Sequence, residues 1–186
     1  MKQLLFISCV ALLASCNNAT TTDTNKDSTG TTSVAAADKK GMHEMPYTLD
    51  RPYQNWQPGD HQHAVTAMKA LKGYETGDIA ACVAEFGDSV SLRFDGFRAK
   101  LSNDSLAKFL TSDRANYSSY KVEMYDWESV ISEDKKEEWV TMWYKQTMTD
   151  KKGKTDSVSV VDDCKIENGK IVLLDEKTQR FPAAKR

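Results

Sequence analysis

Between Thr155 and Glu167 the chain reads TDSVSVVDDCKIE, and every second residue through its middle is apolar with one exception. Val158, Val160, Cys164 and Ile166 share one face of a strand, and Asp162 shares it with them. A carboxylate in such company is paired, protonated or used, because an isolated buried charge is too costly to keep. Asp162 is therefore either a structural group hydrogen-bonded to a neighbouring hydroxyl or amide, or the candidate catalytic acid or base of a pocket. Pairing this run across the DKKGK turn with EWVTMWYKQTMTD sets Val140 beside Cys164, Met142 beside Asp162 and Tyr144 beside Val160. Tyr144 is then the hydroxyl placed to share a proton with Asp162, whose titration is expected above that of an ordinary aspartate. Pairing across SEDKKEE adds Met124 and Asp126 to this candidate ligand pocket, on one side with Val122 and Val130. Asp126 and Glu128 would be further pocket acids, unless a bulge turns them outward. The opposite side collects Tyr125, Ile131 and Val161 with Trp127, Trp139 and Trp143. That tryptophan stripe predicts a homodimer interface.

Other groups capable of chemistry are few. His61 and His63 stand at a helix start without a third ligand nearby, so they read as solvated capping residues and no metal site is expected. Cys82 and Cys164 both fall on inward positions, where they either form a disulfide or remain buried thiols. No Ser-His-Asp or Cys-His spacing, phosphate loop or dinucleotide fingerprint is present, and no cofactor is expected.

The elements that must hold these residues follow from periodicity. GDHQHAVTAMKALKGYETGD is a helix capped by Asp60 and ended by Gly77, with Ala64, Val65, Met68 and Leu71 inward. A short second helix is capped by Asp78 and presents Ile79, Cys82, Val83 and Phe86. DSVSLRFDG and FRAKLS are paired strands around an Asp95-Gly96 turn, and SNDSLAKFLTSDRA is a third helix capped by Ser102 or Asn103. Four long alternating runs follow, separated by SEDKKEE, TDKKGK and ENGK. The order is α+β, with helices gathered on one face of a strongly curved sheet. PYTLDRPYQNWQPGD reads as a strap packed on the domain.

This order, the stretch ALKGYETGDIAACVAEFGDSVSLRFDG and the hairpin DDCKIENGKIVLL resemble the NTF2-like (SnoaL-like) superfamily over roughly residues 59–181. The resemblance implies a cone-shaped, curved antiparallel sheet whose concave face and three helices enclose a pocket, and whose convex face commonly forms a dimer. It implies no single activity, because the superfamily includes isomerases, cyclases, epoxide hydrolases and members that only bind. Asp162 resembles the pocket acid of its ketosteroid isomerases, but the positions of the helix tyrosine and the general base fall on Ala70 and Phe94, with Asp95 one residue from the latter.

Ahead of the domain, Lys2 precedes an apolar run from Leu4 to Leu13, the layout of a secretory signal peptide. Leu13-Ala14-Ser15-Cys16 resembles the bacterial lipobox, which implies a signal over residues 1–15 and lipidation of Cys16. NNATTTDTNKDSTGTTSVAAADKK is too polar to pack, so residues 16–45 read as a disordered tether and 46–186 as one domain. A formal net charge of −2 with interleaved lysines and acids gives no nucleic-acid surface. The expectation is a membrane-anchored bacterial lipoprotein, periplasmic or surface-facing. Its domain binds a small apolar or amphipathic molecule, or a protein partner, without catalysis; the alternative is an isomerase, cyclase or hydrolase using Asp162.

Overall fold

The computed structural model describes residues 46–181; the signal segment, Cys16 and the whole of the tether lie outside the described residues. All helices and strands belong to a compact unit that begins at Leu49. β1 (Gln57–Pro58) leads into α1 (His61–Thr76) and the short α2 (Ile79–Ala84). β2 (Phe86–Phe94) and β3 (Phe97–Ser102) form a hairpin, followed by α3 (Asn103–Arg114). The long meander β4 (Tyr117–Ile131), β5 (Glu138–Asp150), β6 (Thr155–Glu167) and β7 (Lys170–Arg180) completes the unit.

Each helix starts where a side chain can accept from its free amides. Asp60 accepts from the Gln62 amide, Asp78 from Ala81 and Ser102 from Ser105. Gly77 ends α1 at φ 81°, a left-handed backbone that costs glycine nothing. The buried face of α1 is made of small residues, Ala64, Ala67, Ala70 and Gly73, while Val65 is 41% exposed and does not point inward as expected. A side chain at Gly73 would meet the Cys82 backbone nitrogen at 2.5 Å, so α2 packs directly on the α1 backbone there. Phe86, expected on the face of α2, opens β2 instead and pairs with Ile171.

The seven strands form one open, curved sheet in the order β1-β4-β5-β6-β7-β2-β3. All neighbours are antiparallel except β2 and β7, which run parallel, a departure from the all-antiparallel sheet expected. The meander leaves one edge of β7 free, and β2 docks on it in the same direction after the α1–α2 connection. Across the DKKGK turn the register is the expected one, with Val140 opposite Cys164, Met142 opposite Asp162 and Tyr144 opposite Val160.

Between β4 and β5 the register shifts at a bulge between Met124 and Asp126. Ahead of it Met124 faces Tyr144; beyond it Asp126 faces Trp143 and Trp127 faces Met142. One extra residue reverses the faces of the rest of β4. Asp126 is thereby turned outward, where it is exposed and accepts from the Trp127 amide at 2.8 Å. Val130, opposite Trp139, also leaves the inward face, and Trp127 enters it and packs against the core. The dimer stripe as expected is therefore wrong in Trp127, and the pocket as expected is wrong in Asp126.

The core lies between the helices and the concave face, with Val90, Leu92, Leu106, Val140, Val160 and Ile171 among its fully buried side chains. The strap is tied to the β4 edge by its backbone: Gly59 donates to the Ser129 carbonyl and Glu133 to that of Gln54. Its aromatics do not pack as expected, since Tyr53 and Trp56 are 61% and 39% exposed. Among the described residues no helix is long and apolar enough to cross a membrane.

Candidate functional site

The helices do not fill the concave face completely. Ala67 and Ala70, opposite the sheet, leave a cavity of about 270 Å³ that also reaches α2, α3 and strands β2 and β4–β7. One part of its wall is hydrocarbon, including Leu71, Phe94, Phe109, Leu110 and Met148. Phe94 and Phe109 stack here, 6.5 Å between ring centres.

The other part of the wall is acidic. Asp162 stands on β6 with 4% of its surface exposed, and the Tyr144 hydroxyl donates to its Oδ2 at 2.9 Å. Asp162 Oδ1 is buried and has no partner among the described residues. Glu176 lies directly across the strand pair on β7, and Asp113 enters from α3, where it accepts from the Tyr74 hydroxyl. Gln146 donates to the Met148 sulfur at 3.0 Å, and its Oε1 is also buried without a partner. The described wall contains no lysine, arginine or histidine.

Burial dominates the electrostatics. It pushes the Asp162 carboxyl well above the usual carboxylate range, the facing Glu176 raises it further, and the Tyr144 hydroxyl opposes them. Glu176 is raised to about 7, by burial first and then by the carboxylates of Asp113 and Asp95. The hydroxyls of Tyr74, Tyr120 and Tyr144 are likewise held in their neutral form, chiefly by burial. Cys82 and Cys164 are free thiols on the same wall, and burial raises the first to about 12 and the second well above its ordinary value. Thiols of that kind are poor nucleophiles. The arrangement can donate and accept hydrogen bonds, and near neutral pH it can take up or release a proton.

Of the residues expected in the pocket, Met142, Tyr144, Asp162 and Cys164 stand on the cavity wall. Val140 and Val160 are on the same face but fully buried beneath it. Met124 faces Tyr144 across the strands yet is 37% exposed. Trp139 and Trp143 stand half-buried on the convex face, where Trp139 Nε1 donates to Glu137. His63 Nδ1 lies 3.2 Å from Glu138, and the His61 ring meets Trp127 edge-on at 5.1 Å. Among the described residues no group of three or more potential ligands is arranged for a metal ion.

Sequence reasoning missed Asp113, Glu176, Tyr74 and Tyr120. On β7 the reason is a second irregularity: Lys165 pairs with Leu173 and Ile166 with Ile171. Alternation counted from Ile171 points Asp175 inward, but the shift sends Leu174 and Glu176 there instead. The signal for Tyr74 and Asp113 was three-dimensional. Arg114 donates to the carbonyls of Tyr74, Glu75 and Tyr117 at 3.1, 3.2 and 3.1 Å, which draws the end of α1 onto α3 and the start of β4.

No protein-family model and no curated protein matches the sequence. Solved structures do match the fold. A cystatin-fold protein from Novosphingobium aromaticivorans superposes with TM-score 0.52 at 18% identity, over 62% of this chain and 97% of its own. An NTF2-like protein of unknown function from Exiguobacterium sp. 255-15 does so with TM-score 0.50 at 17% identity, over 61% and 98%. An LEH-like epoxide hydrolase from M. tuberculosis matches with TM-score 0.52 at 14% identity, over 64% and 84%. At such identities these likenesses speak for architecture and leave the chemistry to the residues of each pocket. The curved seven-strand sheet with its helices on the concave face thus has the fold of these NTF2-like and cystatin-fold proteins.

Proposed function

We propose that this chain is a lipid-anchored NTF2-like domain that binds a small amphipathic molecule in its cavity without turning it over. One observation carries the reading: a chamber of about 270 Å³, apolar over part of its wall, contains a buried carboxyl oxygen, Asp162 Oδ1, that the protein does not satisfy. An engineered apolar cavity of about 150 Å³ takes benzene, so this chamber suits a molecule of roughly ten non-hydrogen atoms. Non-catalytic binding is supported by Ala70 and Phe94, which occupy the wall where an isomerase of the resembled type needs a hydroxyl and a base. The anchor rests on Leu13-Ala14-Ser15-Cys16 and the polar tether behind it. Mass spectrometry of the natively expressed protein tests both parts. Expected are a mature chain starting at an acylated Cys16 and a co-purifying small molecule; an unmodified terminus defeats the anchor.

The catalytic alternative is favoured by Glu176, whose value near 7 is that of a working general acid or base beside a second protonated carboxyl. Asp162→Asn separates the two readings, because the amide still accepts from Tyr144 but carries no proton to transfer. A binder keeps its fold and changes affinity. An enzyme keeps binding and loses turnover.

The dimer proposal, without Trp127, rests on Trp139 and Trp143 on the convex face, with Val161 paired to Trp143. Trp143→Glu is expected to convert the sedimenting species to monomer. A wild-type chain that already sediments as a monomer ends that part.

A further inference from the structure

We propose that the molecule taken up by the cavity is an amphipathic cation, an ammonium or related nitrogen base on an apolar body, with Asp162 and Glu176 receiving its charged head. The inference rests on the ligand-binding reading above and specifies its chemistry.

Charge placement argues for it first. Asp113, Asp162 and Glu176 converge on one chamber, and no basic side chain is on its described wall. The nearest cations are engaged elsewhere. The Arg114 guanidinium donates to three backbone carbonyls and lies against the Tyr120 ring at 5.8 Å, and Lys177 is held on the other side of the sheet by Asp163 at 2.7 Å and Asp175 at 3.4 Å. An anion entering this chamber would meet three carboxyl groups and gain no ion pair.

The unsatisfied atoms argue for it independently. Asp162 Oδ1 and Gln146 Oε1 are both oxygens, both buried and both on the wall. With Asp162 ionised, as a bound cation would leave it, both oxygens are acceptors, and the complement of two acceptors is a donor group. An alcohol brings one donor hydrogen, whereas an ammonium brings up to three and a charge that eases the repulsion among the acids. The rest of the chamber suits the body of such a molecule, with the Phe94 and Phe109 rings and the Leu71 and Met148 side chains at hand.

Binding of a cation must be linked to protons. Burial holds the carboxyls of Asp162 and Glu176 protonated toward neutrality, helped at Asp162 by Glu176 and at Glu176 by Asp113 and Asp95, and a bound cation favours their ionised forms. The released proton passes to the buffer. Titratable groups facing the pair are Tyr74 from α1, Cys82 from α2 and Asp113 from α3. From the sheet come Tyr117 and Tyr120 on β4, Tyr144 on β5 and Cys164 on β6, with Asp95 acting on Glu176 from the turn after β2. The neutral tyrosines and thiols, all raised, do not titrate with the carboxyls, which leaves the acids as the source.

A matched set of probes decides the matter: phenylbutylamine, phenylbutanol and phenylbutyrate, titrated calorimetrically into the full chain at about pH 8, above the value near 7 of Glu176. The amine is expected to bind about tenfold or more tightly than the alcohol, and the carboxylate more weakly than either. Near neutral pH the amine's heat should depend on the buffer's ionisation enthalpy, and the alcohol's should not. Glu176→Gln should remove most of the amine's advantage and leave the alcohol's affinity in place, with Asp162→Asn as the second variant. Equal or tighter binding of the alcohol overturns the cationic head while leaving the pocket reading intact. So does an amine advantage that survives both variants. If none of the three binds, the ligand-binding reading falls too.

Discussion

Asp162 and Asp163 are consecutive, as are Asp175 and Glu176, and each pair is divided between the two faces of the sheet. On the convex face Asp163 accepts from the Thr141 hydroxyl and pairs with Lys177, while Asp175 pairs with Lys177 and lies 3.8 Å from Arg93. On the concave face, one residue away in each case, Asp162 has a single tyrosine donor and Glu176 has no ion pair among the described residues. Composition does not separate the faces, since both carry acids. What differs is that Lys177 and Arg93 stand beside the acids on one side, while on the other the described wall of the chamber has no basic side chain and is largely covered by the helices. The same residue type is thus a solvated structural charge on one face and a proton-holding group on the other.

The comparison breaks most visibly if a further acid is added to each face. Val160→Asp, at a fully buried position, should cost on the order of 4 kcal/mol or prevent folding, whereas Ser159→Asp on the convex face, opposite Lys145, should cost less than about 1 kcal/mol. Urea unfolding of the two variants measures the difference. Equal costs would mean that the faces are not electrostatically distinct.

Removing an acid sharpens it. The folded value of Glu176 lies above the ordinary 4.5, so the fold favours the protonated form, and stability is full below about 4.5 and falls as pH rises to about 7. Glu176→Gln should therefore raise stability above neutrality by on the order of 2 kcal/mol and have no such effect at acidic pH. A pH series of thermal melts checks the sign. A uniform gain at every pH would point to packing and not to ionisation. The smallest effect is expected at Asp163→Asn, which loses exposed ion pairing worth less than about 1 kcal/mol, an amount that added salt should erase.

How much of this was legible depended on where the strand register could slip. Across the turn before β6 it could not: Asp150 accepts from the amides of Lys152 and Lys154, Gly153 takes φ 83°, and counting by twos places Asp162 against Met142 correctly. In β4 the count fails after Met124, because a bulge inserts one residue and exchanges Asp126 for Trp127. The Asp126 carboxylate bonded to the next amide is a local cue to that bulge, but many turns and caps carry the same cue. In β7 the irregularity near Ile171 hid Glu176, and with it the fact that the candidate site contains a pair of carboxyls. The helices were legible from their caps and glycines. The chamber was not, because it results from what Ala67 and Ala70 leave unfilled, and an absence of side-chain volume has no periodicity of its own.

The parallel contact between β2 and β7 has a kinetic consequence. β4 through β7 meet by successive hairpins and can assemble from neighbours in the chain. β2 must wait for the last strand of the domain, since its partner Ile171 lies far beyond Phe86. Closing so long a loop is entropically expensive and slow. The wall of the chamber draws on both parts, Phe86 and Phe94 from the early hairpin and Asp162 and Glu176 from the late meander. Refolding should therefore restore the sheet's circular dichroism before it restores ligand uptake, and a chain stopped short of β7 would hold a meander without a binding site.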